Sequence, residues 1–258
     1  MAKSKQTIKE IRQLLAQVQD KHDPIFASLA ADPRKGVQKA LLVAKRHLQQ
    51  QATARAAFQK RFVYEQQLWQ AGNQYVAGID EVGRGPLAGP VVTCAVILDP
   101  SFDLVAVTDS KQLTRHERES LYLQIVNEAV EVSIAVNDHQ VIDRLNIYAA
   151  TQQAMIRSVH QLHHRPSHLI VDAVPLATKI PQTTLIKGDQ KSISVAAASI
   201  VAKEYRDHLM RDYDRLYPQY GFAQNMGYGT AAHLKALAQY KACPIHRRSF
   251  APVQKYLQ

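Results

Sequence analysis

Cysteine is nearly missing. Cys94 and Cys243 are the two thiols in 258 residues, and they stand in no metal-type or disulfide-framework spacing. A disulfide scaffold and a Cys-rich zinc site are thereby excluded. Long apolar runs are missing too: the longest are strand-sized, far short of the roughly 20 residues that span a bilayer. No membrane partner is expected. The first residues, Met-Ala-Lys-Ser-Lys-Gln, offer no apolar signal segment, so a cytoplasmic protein is the expectation. Three familiar catalytic signatures are absent: His-Glu-x-x-His, the Gly-x-x-x-x-Gly-Lys-Ser/Thr phosphate loop and the Gly-x-Ser-x-Gly elbow. Glycine is scarce, yet four of the ten lie between positions 78 and 89.

What is present is unevenly charged. The formal charge is +10. Residues 1–70 hold 13 Lys/Arg against 5 Asp/Glu, a local +8, and the remaining 188 residues add only +2. Such a segment is either a solvated face or a contact for nucleic acid or another polyanion; charge alone does not choose. Ile8, Ile11, Leu14, Leu15 and Val18 recur at helical spacing. Asp23-Pro24 interrupts them. Asp32-Pro33 reads as the cap and first position of a second helix, or of two joined helices, reaching Gln70. Residues 1–70 are therefore expected as a small basic helical module. Its polar face carries Lys35, Lys39, Lys45, Arg46, Arg55, Lys60 and Arg61.

From residue 71 to 258 the pattern is mixed α/β. Strands are expected at 75–80, 91–98, 104–107, 131–137, 168–172 and 183–187. Thr114 and Glu117 form a capping box for a helix to about Ala129. Further helices are expected at 146–163, 193–216 and from Thr230 to Tyr240. A Tyr- and Gly-rich loop spans 218–229, and the tail His246-Arg-Arg-Ser-Phe250 is basic.

The chemistry concentrates in the segment from Tyr75 to Pro90. An apolar run arrives at two adjacent carboxylates, Asp80 and Glu81, and a glycine-rich turn follows. Two neighbouring buried anions are unfavourable unless a cation or hydrogen-bond donors compensate. Glycines let backbone N–H groups approach an anion without obstruction. Asp172 ends a later strand, and Asp189 follows the next one. Carboxylates gathered at strand ends, without a matching Cys or His set, favour a hard cation, Mg²⁺ or Mn²⁺. Neighbouring strand residues point to opposite faces, so Asp80 and Glu81 share a site only if the strand ends, bulges or turns there. Each residue alone has a plainer reading: a lone strand-end Asp is a capping residue, Lys111 a surface charge, Tyr228 a packed aromatic, Gly83-Arg84-Gly85 a turn.

In combination these residues resemble a known family. Ala77-Gly-Ile-Asp-Glu-Val-Gly-Arg-Gly-Pro-Leu-Ala-Gly-Pro-Val91 is similar to the signature of bacterial ribonuclease HII, the type 2 ribonuclease H. Asp109-Ser-Lys-Gln-Leu113, Val171-Asp172, Lys187-Gly-Asp189, Ala196 to Lys203, Tyr220 to Ala223, Gly227-Tyr228 and His246 to Phe250 follow in the family's order. The resemblance implies a ribonuclease H-like mixed sheet flanked by helices, with residues 1–70 similar to an N-terminal extension found in some members. It implies hydrolysis of RNA in RNA–DNA hybrids and incision 5′ to ribonucleotides embedded in duplex DNA, leaving 3′-hydroxyl and 5′-phosphate ends. It implies Asp80, Glu81, Asp172 and Asp189 as catalytic and metal-binding residues for Mn²⁺ or Mg²⁺. Gly83, Arg84 and Gly85 would recognise the ribose 2′-hydroxyl, Tyr228 would pack on the neighbouring sugar, and Lys111 would offset phosphate charge. A monomer is expected.

These roles agree with the residue chemistry. Two divalent ions about 3.5–4 Å apart can serve both the attacking water and the leaving oxygen, without a histidine base. The 2′-hydroxyl is what separates RNA from DNA. Met226 departs from the family's usual Lys. Arg84 and Asp189 favour type 2 over the related type 3 enzymes. The alternatives are type 3-like activity or a catalytically idle hybrid-binding protein.

Overall fold

The computed structural model describes residues 6–257, and the chain divides into two compact units, Met1–Lys60 and Arg61–Gln258. In the first, α1 (Ile8–Gln17) opens with a reciprocal capping box between Thr7 and Glu10. The Asp-Pro pair that reads as an interruption is itself a helix start: Asp23 caps α2 (Pro24–Ala30), with Pro24 at its first position. The next Asp-Pro behaves differently. Asp32 turns back onto Arg34 in an ion pair of 2.7 Å, and α3 (Lys35–Arg61) begins only afterwards. Ile11, Leu15, Phe26, Val37, Leu41 and Leu48 bury one another as this unit's core.

The second unit begins with α4 (Val63–Gln70), whose Tyr64, Leu68 and Trp69 pack against buried Val76, Ile170, Leu185 and Val195. Five strands follow: β1 (Val76–Val82), β2 (Val91–Ile97), β3 (Glu131–Asn137), β4 (His168–Asp172) and β5 (Gln182–Leu185), in the order β3-β2-β1-β4-β5. The β1–β2 and β2–β3 pairs are antiparallel, and β1–β4 and β4–β5 are parallel. Between β2 and β3 lies α5 (Arg115–Glu128), opened by the expected Thr114–Glu117 capping box. Between β3 and β4 lie α6 (His139–Leu145) and α7 (Ile147–His160), where one helix was expected. Asn146, at φ 69°, separates and caps them. The long α8 (Ile193–Leu216) follows β5. Short α9 (Phe222–Asn225), α10 (Ala231–Tyr240) and α11 (Ala251–Gln254) complete the chain. This is a mixed sheet flanked by helices, accompanied by a helical module, as the sequence leads one to expect.

The expected strand at 104–107 is absent. Val105 N–H donates to Asp103 and Val107 N–H to Leu104, so tight turns take the donors that a ladder would need. Among the described residues no helix is long and apolar enough to cross a membrane.

Strand alternation sorts the core. Ala77, Ile79, Leu169 and Val171 face Met155 and Val159 of α7. Val76, Gly78 and Ile170 face the other side, where α8 lies. Gly78 sets how closely α8 approaches: a Cβ there would stand 2.2 Å from the carbonyl carbon of Ser194. Buried Glu65 grips the start of the same helix, accepting from Ser194 N–H at 2.9 Å and from the hydroxyls of Ser192 and Ser194. Gly78→Ala is therefore expected to lower stability by about 1–3 kcal/mol, the usual cost of overpacking. Urea unfolding measures it, and an unchanged midpoint would refute the close approach.

Candidate active site

Parallel pairing of β1 with β4 ends at Ile79 and Val171. The next residues in that register are Asp80 and Asp172, so the fold sets these carboxylates side by side at the strand ends. Beyond Ile79, β1 keeps β2 as a neighbour and loses β4. The strand neither ends nor bulges between Asp80 and Glu81; it runs on to Val82. What lets both carboxylates reach one cavity is the open edge on the β4 side. Asp189 arrives from the 3-10 turn after β5, entered through Lys187 at φ 57°. Gly188 N–H donates to Asp172 Oδ1 at 2.6 Å and ties that turn to β4.

Asp80, Glu81, Asp172 and Asp189 all line one cavity of about 600 Å³, together with Lys111 and Tyr228. Asp80 accepts from Glu81 N–H at 2.7 Å, and Ser199 of α8 hydrogen-bonds it. Even so, burial first, then the charges of Glu81 and Asp172, hold Asp80 well above the ordinary carboxylate range. Burial also raises Glu81, with Arg84 opposing and Asp172 reinforcing. Burial and Asp109 raise Asp189. The counter-charges are sparse. Arg84 Nη1 lies 3.3 Å from Glu81, and Lys111 Nζ lies 3.8 Å from Asp189. Burial would lower Lys111, but Asp189 and then Asp109, Asp80 and Asp172 raise it. Glu81 Oε2 is buried without a hydrogen-bond partner. An orphaned carboxylate oxygen among crowded, all-oxygen donors fits a hard divalent cation.

A second acidic group provides the contrast. Glu119, Glu204 and His208 bring ligand atoms within 4.8 Å of one another. Arginines already neutralise them: Arg118 Nε is 2.5 Å from Glu204, and Arg115 Nε is 2.8 Å from Glu119. The carboxylates of that cluster are ion-paired to arginine within the protein, whereas Asp80 and Asp172 in the cavity have no arginine or lysine ion pair among the described residues.

The glycine turn borders the cavity. Gly83 has φ +94° and Gly89 φ +82°, conformations that favour glycine. Gly85 lies beneath Tyr228, since a Cβ on it would stand 3.5 Å from the tyrosine ring. Tyr228 is 45% exposed, as a side chain offered to a ligand should be. Met226 packs with Met210, Tyr220 and Phe222 at φ 50°, so it brings no cation to this rim.

Several residues escape a reading of strand-end carboxylates. Asp109, buried on the cavity wall, accepts from Lys111 N–H and Gln190. Arg206 and Arg247 are fully buried behind the turn. Arg247, in the basic tail, donates to main-chain carbonyls of the protein. Helical phase offered a signal for Arg206. It falls with Ala202 and Met210 on the buried face of α8, where a charge requires a purpose.

A family model described as ribonuclease HII matches residues 77–253, and one described as the ribonuclease HII N-terminal domain matches residues 7–69. A ribonuclease HII of Limosilactobacillus fermentum is 72% identical, covering 98% of this chain and 99% of that protein. One of Levilactobacillus brevis is 57% identical, covering 98% of each. Among solved structures, the ribonuclease H2 of Pyrococcus horikoshii OT3 superposes with a TM-score of 0.64 at 26% identity, covering 71% of this chain and 97% of that one. A Bst-RNase HIII structure in complex with Mn²⁺ shares the fold, with a TM-score of 0.57 at 21% identity, covering 71% of this chain and 69% of that one.

Mutual repulsion in the cavity has a consequence measurable without substrate. In EDTA at pH 7, Asp80→Asn removes a buried anion from a like-charged group and should stabilise by about 1 kcal/mol, roughly 2–4 °C in melting temperature. Added Mn²⁺ should raise the melting temperature of the wild type much more than that of the variant. Calorimetry decides; a variant that melts lower in EDTA would contradict the repulsion.

Proposed function

The chain belongs to the ribonuclease HII family, and from that premise we propose that it cleaves RNA in RNA–DNA hybrids and nicks duplex DNA 5′ to an embedded ribonucleotide, leaving 3′-hydroxyl and 5′-phosphate ends. Its class as a hydrolase with ribonuclease H activity follows from membership. The finer reading is supported chiefly by one juxtaposition. A cavity of incompletely compensated carboxylates is bordered by a glycine turn with free donors and by an exposed tyrosine.

Asp80, Glu81, Asp172 and Asp189 would hold the divalent ions, Mn²⁺ or Mg²⁺. When bound, these supply Lewis acidity toward the attacking water and the leaving 3′-oxygen. The chain's own residues do the selecting. Among the described residues, the amides of Arg84 and Gly85 have no acceptor, so they are available to a ribose oxygen or a phosphate. Gly85 lets a sugar lie against the backbone, and Tyr228 stands over that position, where it would pack on the neighbouring deoxyribose. The Lys111 ammonium, largely exposed, can meet a phosphate while offsetting Asp189. Cleavage should require the 2′-hydroxyl, because nothing else in the duplex distinguishes the target position.

The intact carboxylate set disfavours an idle hybrid-binding protein. Both matching family models describe type 2 rather than type 3. With Mn²⁺ or Mg²⁺, a duplex carrying one ribonucleotide should be nicked on its 5′ side, and the all-DNA duplex should stay intact. Asp80→Asn should abolish nicking while duplex binding survives. Equal cleavage of the all-DNA duplex would defeat the 2′-hydroxyl reading, and no nicking at any metal concentration would defeat the activity.

The basic N-terminal module is proposed to add affinity through phosphate contacts. The motive is its local +8 charge, with Lys35, Lys39 and Arg46 on α3. Replacing these three by Gln in the full chain should weaken duplex binding and reduce the slope of log affinity against log salt by up to about 3, near 0.9 per lost phosphate contact. Fluorescence anisotropy across a salt series measures the slope. An unchanged slope would make the module structural.

A further inference from the structure

Arg247 and Arg206 are fully buried cations that meet main-chain carbonyls rather than carboxylates. Arg247 donates from Nε to Gly89 O at 3.0 Å, from Nη1 to Arg84 O at 2.8 Å and from Nη2 to Gly83 O at 2.5 Å. Arg206 donates to Pro90 O at 2.9 Å, Met226 O at 2.9 Å and Ala88 O at 3.2 Å. Burying a guanidinium costs several kcal/mol that apolar side chains would not incur. Such a cost persists when the fork does what an apolar group cannot, and here it fixes the direction of peptide groups.

That direction has a chemical result. In a trans peptide the carbonyl and the N–H point opposite ways. Arg247 draws the carbonyls of Gly83 and Arg84 toward the protein interior. The N–H groups of the same two peptides belong to Arg84 and Gly85, and they are turned away from it. Neither amide has an acceptor among the described residues.

The neighbouring residue grips the other half of the rim. His246 bridges Ala88 through its backbone. Its ring Nδ1 accepts from Cys243 N–H at 3.0 Å, so its proton sits on Nε2 and donates to His233 Nε2 at 3.0 Å. The proton of His233 is then on Nδ1 and donates to Tyr228 O at 2.8 Å. One tautomer assignment satisfies the whole relay. Burial keeps it neutral: burial and His233 pull His246 down to about 4. A third link, Leu87 N–H to Gly227 O at 2.8 Å, joins turn and tyrosine loop directly.

We propose that His246-Arg247 is a single strut holding the Gly83–Gly85 turn and Tyr228 in mutual register, and that both are positioning residues for telling ribose from deoxyribose. This rests on the ribonucleotide reading of the same rim. Neither side chain touches the substrate; each acts through the groups it holds.

The test compares binding of two duplexes, one with a single ribonucleotide and one all-DNA, in Ca²⁺ so that cleavage does not intervene. Arg247→Lys keeps a charge and a long stem but loses the planar fork that spans three carbonyls. His246→Gln breaks the relay at a distance from the turn. Each variant should reduce the wild-type preference for the ribonucleotide duplex by about 10-fold or more, the scale of one lost well-placed hydrogen bond. Affinity for the all-DNA duplex and the stabilisation by Mn²⁺ should be unchanged. A folded variant that keeps the wild-type preference would overturn the strut, as would equal losses on both duplexes. If Arg247→Lys does not fold, His246→Gln is read by the same criteria. A wild type without preference would remove the ribose reading, and the strut with it. A preference that the variants retain would remove the strut alone.

Discussion

Repulsion among carboxylates at the strand ends is the constraint to which the catalytic unit answers. Asp80 and Asp172 sit in register because β1 and β4 are parallel and adjacent. Asp189 joins them because the turn after β5 is tied to Asp172 through Gly188 N–H. Left to itself such a group would spread or protonate. The fold holds it by bringing α8 against the sheet at Gly78, anchoring that helix through Glu65 and placing Ser199 on Asp80. Stability is forgone at this point and recovered in the apolar packing on either sheet face.

Charge is partitioned around this centre. On the flank of α8, Arg118, Arg211 and Lys203 neutralise Glu204 and Asp207 within the protein. In the cavity, compensation is incomplete. Behind the glycine turn the sign reverses, with two arginines fully buried among carbonyls. Burial, then Arg206, lowers Arg247 to about 9, which leaves it charged at neutral pH. Negative charge therefore lines the cavity, and positive charge stands behind the glycine turn. Opposite fields on the two sides of one turn suit the proposed nucleic-acid substrate, which brings phosphate anions of its own.

Much of this was legible in the sequence because local chemistry controls it. Thr114 with Glu117, Thr230 and the run from Tyr75 to Pro90 announce caps, strand and turn through short-range rules. The carboxylates were legible because unpaired anions in apolar surroundings are expensive wherever they fall. Residues 104–107 misled because β-branched composition describes a buried extended segment equally well, and the turns at Asp103 and Leu104 are decided by packing of Phe102 and Val107. Asp32-Pro33 misled because a competing arginine two residues on captured the capping carboxylate. The coexistence of Asp80 and Glu81 on an unbroken strand depended on where β4 stops, a fact about another segment nearly a hundred residues away.

Arg247 shows the limit most clearly. Its neighbours His246, Arg248 and Ser249 make the tail look like a basic patch, and a basic patch is ordinarily read as solvent-facing. Position alone cannot reveal that three carbonyls from residues 83, 84 and 89 converge on it. Once the fold is known, the inference runs in reverse. A buried cation that binds backbone is retained for what it orients, and the peptides it orients carry the donors that the cavity presents. On the proposed reading, selection of a small hydroxyl would depend on long-range contacts made far along the chain, while the cavity carboxylates depend on strand register. The two could vary independently, so that selectivity for ribose could be lost while the capacity to hold metal is kept.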